Sequence, residues 1–553
     1  MELSSSMDSS INNPASLDSS TITEQIFLKH SAIKNGLLNT APSPSSLLSL
    51  PRIPHLRDIY FLGRFLPAQD SKQLYYEELK QRQAKATNYK QWSDVGLELD
   101  AHFGNEEWKM DPKLDCYDLV LIQRVLDRMR YARENKDYKL LLYIVRTSWV
   151  RNLGNMGDLQ LYKQSYFGTK HLIEEYIAEC ELALNYLGND ELVLLDKRYI
   201  LGMLIQTRKN IGRTALVLSG GSTFGIFHIG VLALLLECNL MPRIVSGSLA
   251  GLIMASILCC LTNEEMLALL ETISDTKFEI FGSEDIPDDD HPESTKTWYQ
   301  SNENFSKHES LRRLAHFLKY GTFFDNSGLK KTIVGFIGEI TFREAYNRTG
   351  KILNITVSPA SIHEQTRLLN YLTAPNCLIW LAVCASCSVP GFFPSASIFE
   401  KNPRTGVAHE WNNDSLVKYV DGSVDNDLPI TRLSEMFNVD HIIAVQVNPH
   451  VVPFLKLLVT NVGGGIENAA KFKIKKALAS LYGFMSREVV HYLEVLHECG
   501  IWQNLTTKAI LILSQQYSGD ITILPDFNIH DFTKVFTNPT PEFLLECIVR
   551  GAR

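Results

Sequence analysis

The chain has 553 residues, 45% of them hydrophobic and 10% aromatic, with a formal net charge of −8. That is material for roughly two to four structural units with a sizeable core, which excludes a wholly disordered chain. The acidic balance and the lack of a long basic run exclude nucleic acid as the main partner, because phosphate binding needs clustered Lys and Arg.

Residues 1–50 are rich in Ser, Asn and Pro and read as a disordered tail. They lack the basic start and apolar block of a secretory signal. Residues 51–70 mix apolar and basic residues with Pro51, Pro54 and Pro67, and fit either a surface-seeking segment or a packed arm. From about 75 to 210 the spacing is helical. Leu119, Ile122, Val125, Leu126 and Met129 recur between Asp127, Arg128 and Arg130, and Leu140–Val150 and His171–Tyr186 repeat the pattern. Residues 51–213 read as a helical scaffold without chemistry of its own.

At Thr214 the texture changes. Thr214–Leu218 reads as a strand, followed by Gly220–Gly221–Ser222–Thr223–Phe224–Gly225 and a helical run to Glu237. Arg243–Val245 is a second strand, with Gly247–Gly251 opening another helix. Strand, glycine turn and helix, used twice, predict an α/β unit with a largely parallel sheet. Ile244–Thr262 carries no formal charge and is just long enough to cross a bilayer. A buried strand, turn and helix explains it better, because Ser246, Gly247, Ser248 and Gly251 sit near its start. Leu353–Val357, Arg367–Leu372 and His441–Val447 read as further strands. After Pro449 the chain is helical to about Trp502, and Ala509–Ser514 and Ile521–Leu524 are short strands.

Three constellations carry chemistry. Gly220–Gly225 opens a helix, so its N–H groups suit a phosphate cradle, an oxyanion hole or only a tight turn. It is no Walker motif, because no Lys-Ser or Lys-Thr closes the loop. Val245–Gly251 has the outline of a nucleophile elbow, with Gly247 and Gly251 as the small residues two before and two after an apex. That apex is Leu249. Asp421–Gly422 ends an apolar run, and Asp425 and Asp427 suit helix caps near Pro429.

Other features have plainer readings. Cys384 and Cys387 have CxxC spacing in the apolar stretch Ile379–Val389, with no second pair or His cluster to complete a zinc site, so they read as buried thiols. The ten cysteines form no compact framework, and the compartment reads as intracellular. His409 and Asp414 have an H-x4-D spacing, here read as a polar loop ahead of the Asp421 strand. The helix expected over Ile466–Met485 has Ile466, Ala470, Ile474, Leu478 and Leu481 on one side and Lys471, Lys473, Lys475 and Lys476 mostly elsewhere. It suits an anionic lipid surface or a helix packed on the core with a solvated basic face.

Taken together, the glycine loop, the Gly-x-x-x-Gly frame and Asp421–Gly422 resemble the patatin-like acyl hydrolases. Ala385–Pro394, Asp421–Pro429, Gln446–Phe454, Gly519–Pro525 and Asn538–Phe543 resemble the fungal and plant oil-mobilising triacylglycerol-lipase subgroup. The resemblance runs from about residue 85 to the C-terminus. It implies a hydrolase domain over 214–447, a helical and short-strand extension over 448–553, and a family chain that continues beyond Arg553.

The resemblance implies a Ser–Asp dyad. A serine at the apex attacks the ester carbonyl, Asp421 takes its proton, and Gly220, Gly221 and Ser222 hold the oxyanion. Leu249 occupies the nucleophile position and has neither lone pair nor proton to offer. Ser248 is the adjacent hydroxyl, but neighbours at a strand end point in different directions. The resemblance calls for no cofactor or metal and gives His228 no catalytic role. It implies acyl esters of neutral lipid or phospholipid as substrates, and a peripheral place on lipid droplets or the endoplasmic-reticulum surface. Two alternatives remain: a catalytically inactive lipid-binding or regulatory relative, and a lysophospholipid acyltransferase using His409 and Asp414.

Overall fold

The structure is a computed structural model that describes residues 22–40, 71–188, 196–273, 326–359, 366–388, 392–411, 419–421, 428–449, 451–458, 469–500, 517–527 and 537–553, with isolated positions at 322, 506, 510, 531, 534 and 535.

The helical spacing of the first unit closes apolar faces on one another. Helices Leu119–Glu134, Tyr138–Ser148 and His171–Gly188 bury Leu126, Met129, Leu141, Ile144 and Ile173. Asp118 and Asp137 accept Leu121 N–H and Leu140 N–H at 3.0 Å, each satisfying a donor left orphaned at a helix start. Buried Asp100 pairs with Lys109 at 3.0 Å and also accepts the N–H groups of Tyr166 and Phe167.

The second unit is built on one sheet. Its strands are β1 (Arg213–Leu218), β2 (Ile244–Gly247), β3 (Ile352–Pro359), β4 (Arg367–Leu369), β7 (Tyr419–Asp421), β8 (Val439–Val445) and β9 (Ile521–Ile523). The order is β4-β3-β2-β1-β8-β9, and β7 also pairs with β3. The run from β3 to β9 is parallel, while β4 and β7 lie antiparallel to β3. A separate hairpin joins β5 (Phe399–Lys401) to β6 (Ala408–Glu410).

Both faces of the sheet are covered, which is why Ala215–Leu218 reads as an unbroken apolar run. Leu216 and Leu218 point into one core, with Phe227, Leu252, Val383 and Ile548 from four covering helices. Ala215 and Val217 point into the other, with Leu433 and Phe437 of helix Ile430–Phe437. The alternation is the two-residue period of a strand. The expected α/β architecture with a largely parallel sheet and a helical N-terminal region is what the chain adopts.

Ile244–Thr262 resolves into β2 and the buried helix Leu249–Cys260. Among the described residues, no helix is long and apolar enough to cross a membrane.

Some expectations need correction. Within the segment read as a tail, Ile22–Thr40 is helical. Ile22, Ile26 and Phe27 recur at helical spacing and pack on the larger core, and Thr23 N and Oγ1 donate to the Glu237 carboxylate at 2.7 Å. Periodicity in a short window was masked by the Ser-rich flanks. Ala509–Ser514 was expected as a strand, yet Ile510, its one described position, is helical. Residues 51–70, and the stretch around Asp425 and Asp427, lie outside the described residues. The helix expected over Ile466–Met485 is part of Ala469–Glu498, and its Ile474, Leu478 and Leu481 are exposed rather than packed on the core.

Candidate active site

Two strand-to-helix turns meet at the C-terminal end of the parallel strands. The first leaves β1 through Ser219, Gly220 and Gly221, then coils through Ser222–Ile226 into helix Phe227–Glu237. Gly221 has φ +149° and Ser222 φ +57°, so the turn uses backbone that side chains resist. The second leaves β2 at Gly247, passes Ser248 at φ −125°, and reaches Leu249 at φ +46°. A leucine in left-handed backbone is a strained outlier, of the kind that a surrounding structure must impose.

What imposes it is close approach. A Cβ on Gly251 would stand 2.5 Å from the carbonyl oxygens of Leu218 and Ser219, so only glycine lets this helix sit against the end of β1. Ser248 N–H donates to Leu218 O at 3.0 Å and ties the two turns together. Ser248 itself is buried.

The turns face each other through Gly220 and Leu249. A Cβ on Gly220 would lie 2.8 Å from Leu249 Cδ1 and 3.3 Å from Asn448 Oδ1. Cys387 Sγ donates to Leu249 O at 3.6 Å, so a thiol from helix Ile379–Ser386 and its cap also reaches the apex. Ser219 Oγ accepts Val447 N–H at 2.8 Å and donates to Gly220 O at 3.0 Å. Thr223 reaches a distant part of the chain: its N–H and Oγ1 donate to Val535 O at 3.2 and 2.8 Å, and Oγ1 also to Thr537 O at 2.7 Å.

His228 lies fully buried beneath this loop, with Nε2 3.0 Å from Ser219 O. A carbonyl only accepts, so Nε2 carries the proton and donates. Burial pushes the imidazole pKa down to about 4, and Nδ1 is buried without a partner. The histidine is therefore a neutral anchor for the glycine turn rather than an exchangeable acid or base.

Asp421 comes to the same region by register. Ile355 pairs with Gly247 on one flank and Leu369 on the other. Val357 pairs with Arg367 of β4 and Asp421 of β7. Since β4 fills one flank, β7 lies on the flank of β2, beyond its end. The Asp421 backbone thus stands across from a position two residues past the Gly247 pairing. Its side chain, and Gly422–Asp427, lie outside the described residues.

His409 is placed elsewhere, on the β5–β6 hairpin. It is 43% exposed, and its Nε2 lies 3.0 Å from Glu400 Oε1. Asp414 lies outside the described residues. Cys384 and Cys387 are not joined in a disulfide, and burial pushes the Cys384 thiol up to about 12. Among the described residues, no group of three or more His, Cys, Asp or Glu side chains could hold a metal ion. The sequence reading missed Ser219, Asn448 and Cys387 as neighbours of the two turns. Asn448 sits inside the quoted Gln446–Phe454 motif, whereas a short Ser or Cys has no periodic signal.

A mainly parallel sheet covered by helices, with a glycine turn after its first strand and a sharp strand-to-helix turn after its second, is the architecture of the patatin-like class. A family profile of patatin-like phospholipases matches residues 216–433, and a domain of unknown function (DUF3336) matches 71–209. Triacylglycerol lipase ptl3 of Schizosaccharomyces pombe is 36% identical over 86% of this chain and 92% of its own length. The chain belongs to the patatin-like family of fungal triacylglycerol lipases. Triacylglycerol lipases 4 and 5 of Saccharomyces cerevisiae are 52% and 49% identical over 89% and 87% of this chain. The chain spans 52% and 62% of the lengths of those two relatives.

Proposed function

We propose that this chain is a triacylglycerol-lipase scaffold whose nucleophile position holds Leu249, so that it binds acyl-ester lipid but does not hydrolyse it through serine. The observation that carries this is the backbone of Leu249, at φ +46° between a buried strand and a helix. That strained apex is what a nucleophile elbow requires, and the side chain on it is an isobutyl group. With serine at 249, its oxygen would attack the ester carbonyl and Asp421 would take the proton. The Gly220–Ser222 backbone would receive the oxyanion. Leucine supplies no attacking electron pair.

Ser248 is the less suitable hydroxyl. Its extended backbone at φ −125°, ψ 143° puts it before the apex, not on it. The acyltransferase reading gains no support from His409, which pairs with Glu400 on a separate hairpin. The names of the relatives support triacylglycerol as the lipid, and a peripheral place on a lipid-droplet or endoplasmic-reticulum surface accords with it. Hydrolysis of emulsified long-chain triacylglycerol by the purified chain and by Leu249→Ser tests the reading. Strong serine-dependent hydrolysis by the unaltered chain would defeat it. Retention of the protein in membranes after alkaline carbonate extraction would count against peripheral attachment.

A further inference from the structure

The glycine turn after β1 does not hold its shape by local preference. Gly221 at φ +149° and Ser222 at φ +57° sit in backbone that persists only where neighbours fix it. Those neighbours form two groups, one on each side of the turn. Before it, Ser219 N–H donates to Val445 O at 3.0 Å and Ser219 Oγ accepts Val447 N–H at 2.8 Å. A Cβ on Gly221 would stand 2.7 Å from Val447 Cγ2, so the exit of β8 presses directly on the turn. After it, the hold comes from much further along the chain. Thr223 N–H donates to Val535 O at 3.2 Å, and Thr223 Oγ1 lies 2.8 Å from Val535 O and 2.7 Å from Thr537 O. One hydroxyl proton is thus shared between two carbonyls, and the side chain is buried. The next residue, Phe224, stacks on Phe527 with ring centroids 4.0 Å apart and planes 24° apart.

Phe527, Val535 and Thr537 belong to the stretch that the sequence sets apart as an extension. We infer that this C-terminal stretch is a working part of the active site, and that Thr223 is the positioning residue through which it aims the Gly221 and Ser222 N–H groups. An oxyanion hole stabilises charge only when its donors already stand where that charge develops. A misplacement of about 1 Å is enough to lose much of the rate. Thr223 directly follows Ser222, so any shift of its amide passes straight into the donor pair. The stretch is braced in turn. It leads into helix Pro541–Ala552, whose Ile548 and Ala552 backbone lies against Gly230 of the helix that leaves the glycine turn. The inference rests on the proposed reading of Gly220–Ser222 as the oxyanion hole.

The test compares Thr223→Val, which removes the hydroxyl proton but keeps the branch and the N–H, with Thr223→Ser, which keeps the hydroxyl. Each is made in the full chain as it stands and in the Leu249→Ser background. In the chain as it stands, hydrogen exchange over residues 219–226, read by mass spectrometry, should quicken by about tenfold in Thr223→Val and stay unchanged in Thr223→Ser. In the Leu249→Ser background, Thr223→Val should lower kcat on emulsified triacylglycerol by about tenfold with KM unchanged, and Thr223→Ser should restore it. A residue that only fastened the C-terminal stretch would leave kcat as it was.

Unchanged exchange in a Thr223→Val protein that is folded by circular dichroism would overturn the inference. So would an unaltered kcat, a loss confined to KM, or failure of Thr223→Ser to restore either reading. Should Thr223→Val not fold, Phe527→Leu takes its place, since it removes the ring stack and leaves the Thr223 bonds alone, and the same two readings decide. Exchange needs no turnover. An inactive Leu249→Ser protein would therefore defeat the elbow reading alone, and exchange would still decide this one.

Discussion

Leu249 Cδ1 occupies the space a side chain on Gly220 would need, 2.8 Å from the position of the missing Cβ. The two turns thus meet through this isobutyl group as well as through the bond from Ser248 N–H to Leu218 O. Gly220→Ala should cost about 1–3 kcal/mol in the chain as it stands, because the leucine must shift. In a Leu249→Ser background the nearest remaining contacts are Leu249 Cβ at 3.2 Å and Asn448 Oδ1 at 3.3 Å, and the cost should fall. A double-mutant cycle in urea should show coupling of about 1 kcal/mol. Additive costs would mean that the Leu249 side chain does not press on Gly220 in solution.

Activity should follow residue 249. The unaltered chain should stay unlabelled by a fluorophosphonate probe, and Leu249→Ser should label and cleave emulsified triacylglycerol. Loss of a nucleophile generally removes orders of magnitude in rate, so the gain should be at least about a hundredfold. Asp421→Asn in the Leu249→Ser background should abolish the gain, and Ser248→Ala should not. Labelling of the unaltered chain that disappears in Ser248→Ala would make Ser248 the nucleophile.

The buried His228 should make stability fall with acid. Its folded pKa is lowered from 6.5 to about 4 by burial, so below the unfolded value the unfolded chain binds the proton and the folded chain does not. The stabilising contribution is complete above pH 6.5 and is lost as pH falls towards about 4. Between about pH 6.5 and pH 5 that amounts to roughly 2 kcal/mol. His228→Gln keeps an N–H for Ser219 O and removes the titration. Its urea midpoint should change less between those two pH values than that of the unaltered chain. Equal pH dependence would show that another group governs the loss.

The closing helix Pro541–Ala552 is held by a glycine contact. A Cβ on Gly230 would lie 2.0 Å from Ile548 O and 2.6 Å from Ala552 N, both backbone atoms that cannot rotate away. Gly230→Ala should destabilise by about 2–3 kcal/mol as the helix is pushed off. Gly483→Ala is the matched control, with nothing within 4 Å of its would-be Cβ. It should stabilise by up to about 1 kcal/mol through helix propensity. Thermal unfolding of the two variants reads both signs.

What the sequence displayed depended on the range of the signal. β1, the run to Glu237 and the division of Ile244–Thr262 were legible, because strand, glycine and helix follow one another locally. The helix Ile22–Thr40 was not, since its partner Glu237 lies 214 residues away. The antiparallel seat of β7 beside β3 was equally hidden, as register between remote strands leaves no local pattern. The elbow frame at Gly247 and Gly251 was legible from spacing. That Leu249 leans on Gly220 and accepts a bond from Cys387 is a three-dimensional fact.

The bonds from Thr223 to Val535 and Thr537 span 312 and 314 residues. They give the fold an order in time. As the chain leaves the ribosome, the glycine turn emerges long before the residues that pin it. β8, and then β9, must also arrive before the parallel edge beyond β1 is paired. Contacts of such long separation are slow to close, and the waiting strands expose apolar edges. This protein should therefore depend on chaperones during synthesis, and a ribosome stalled before Val535 should hold a nascent chain whose glycine turn is still unset.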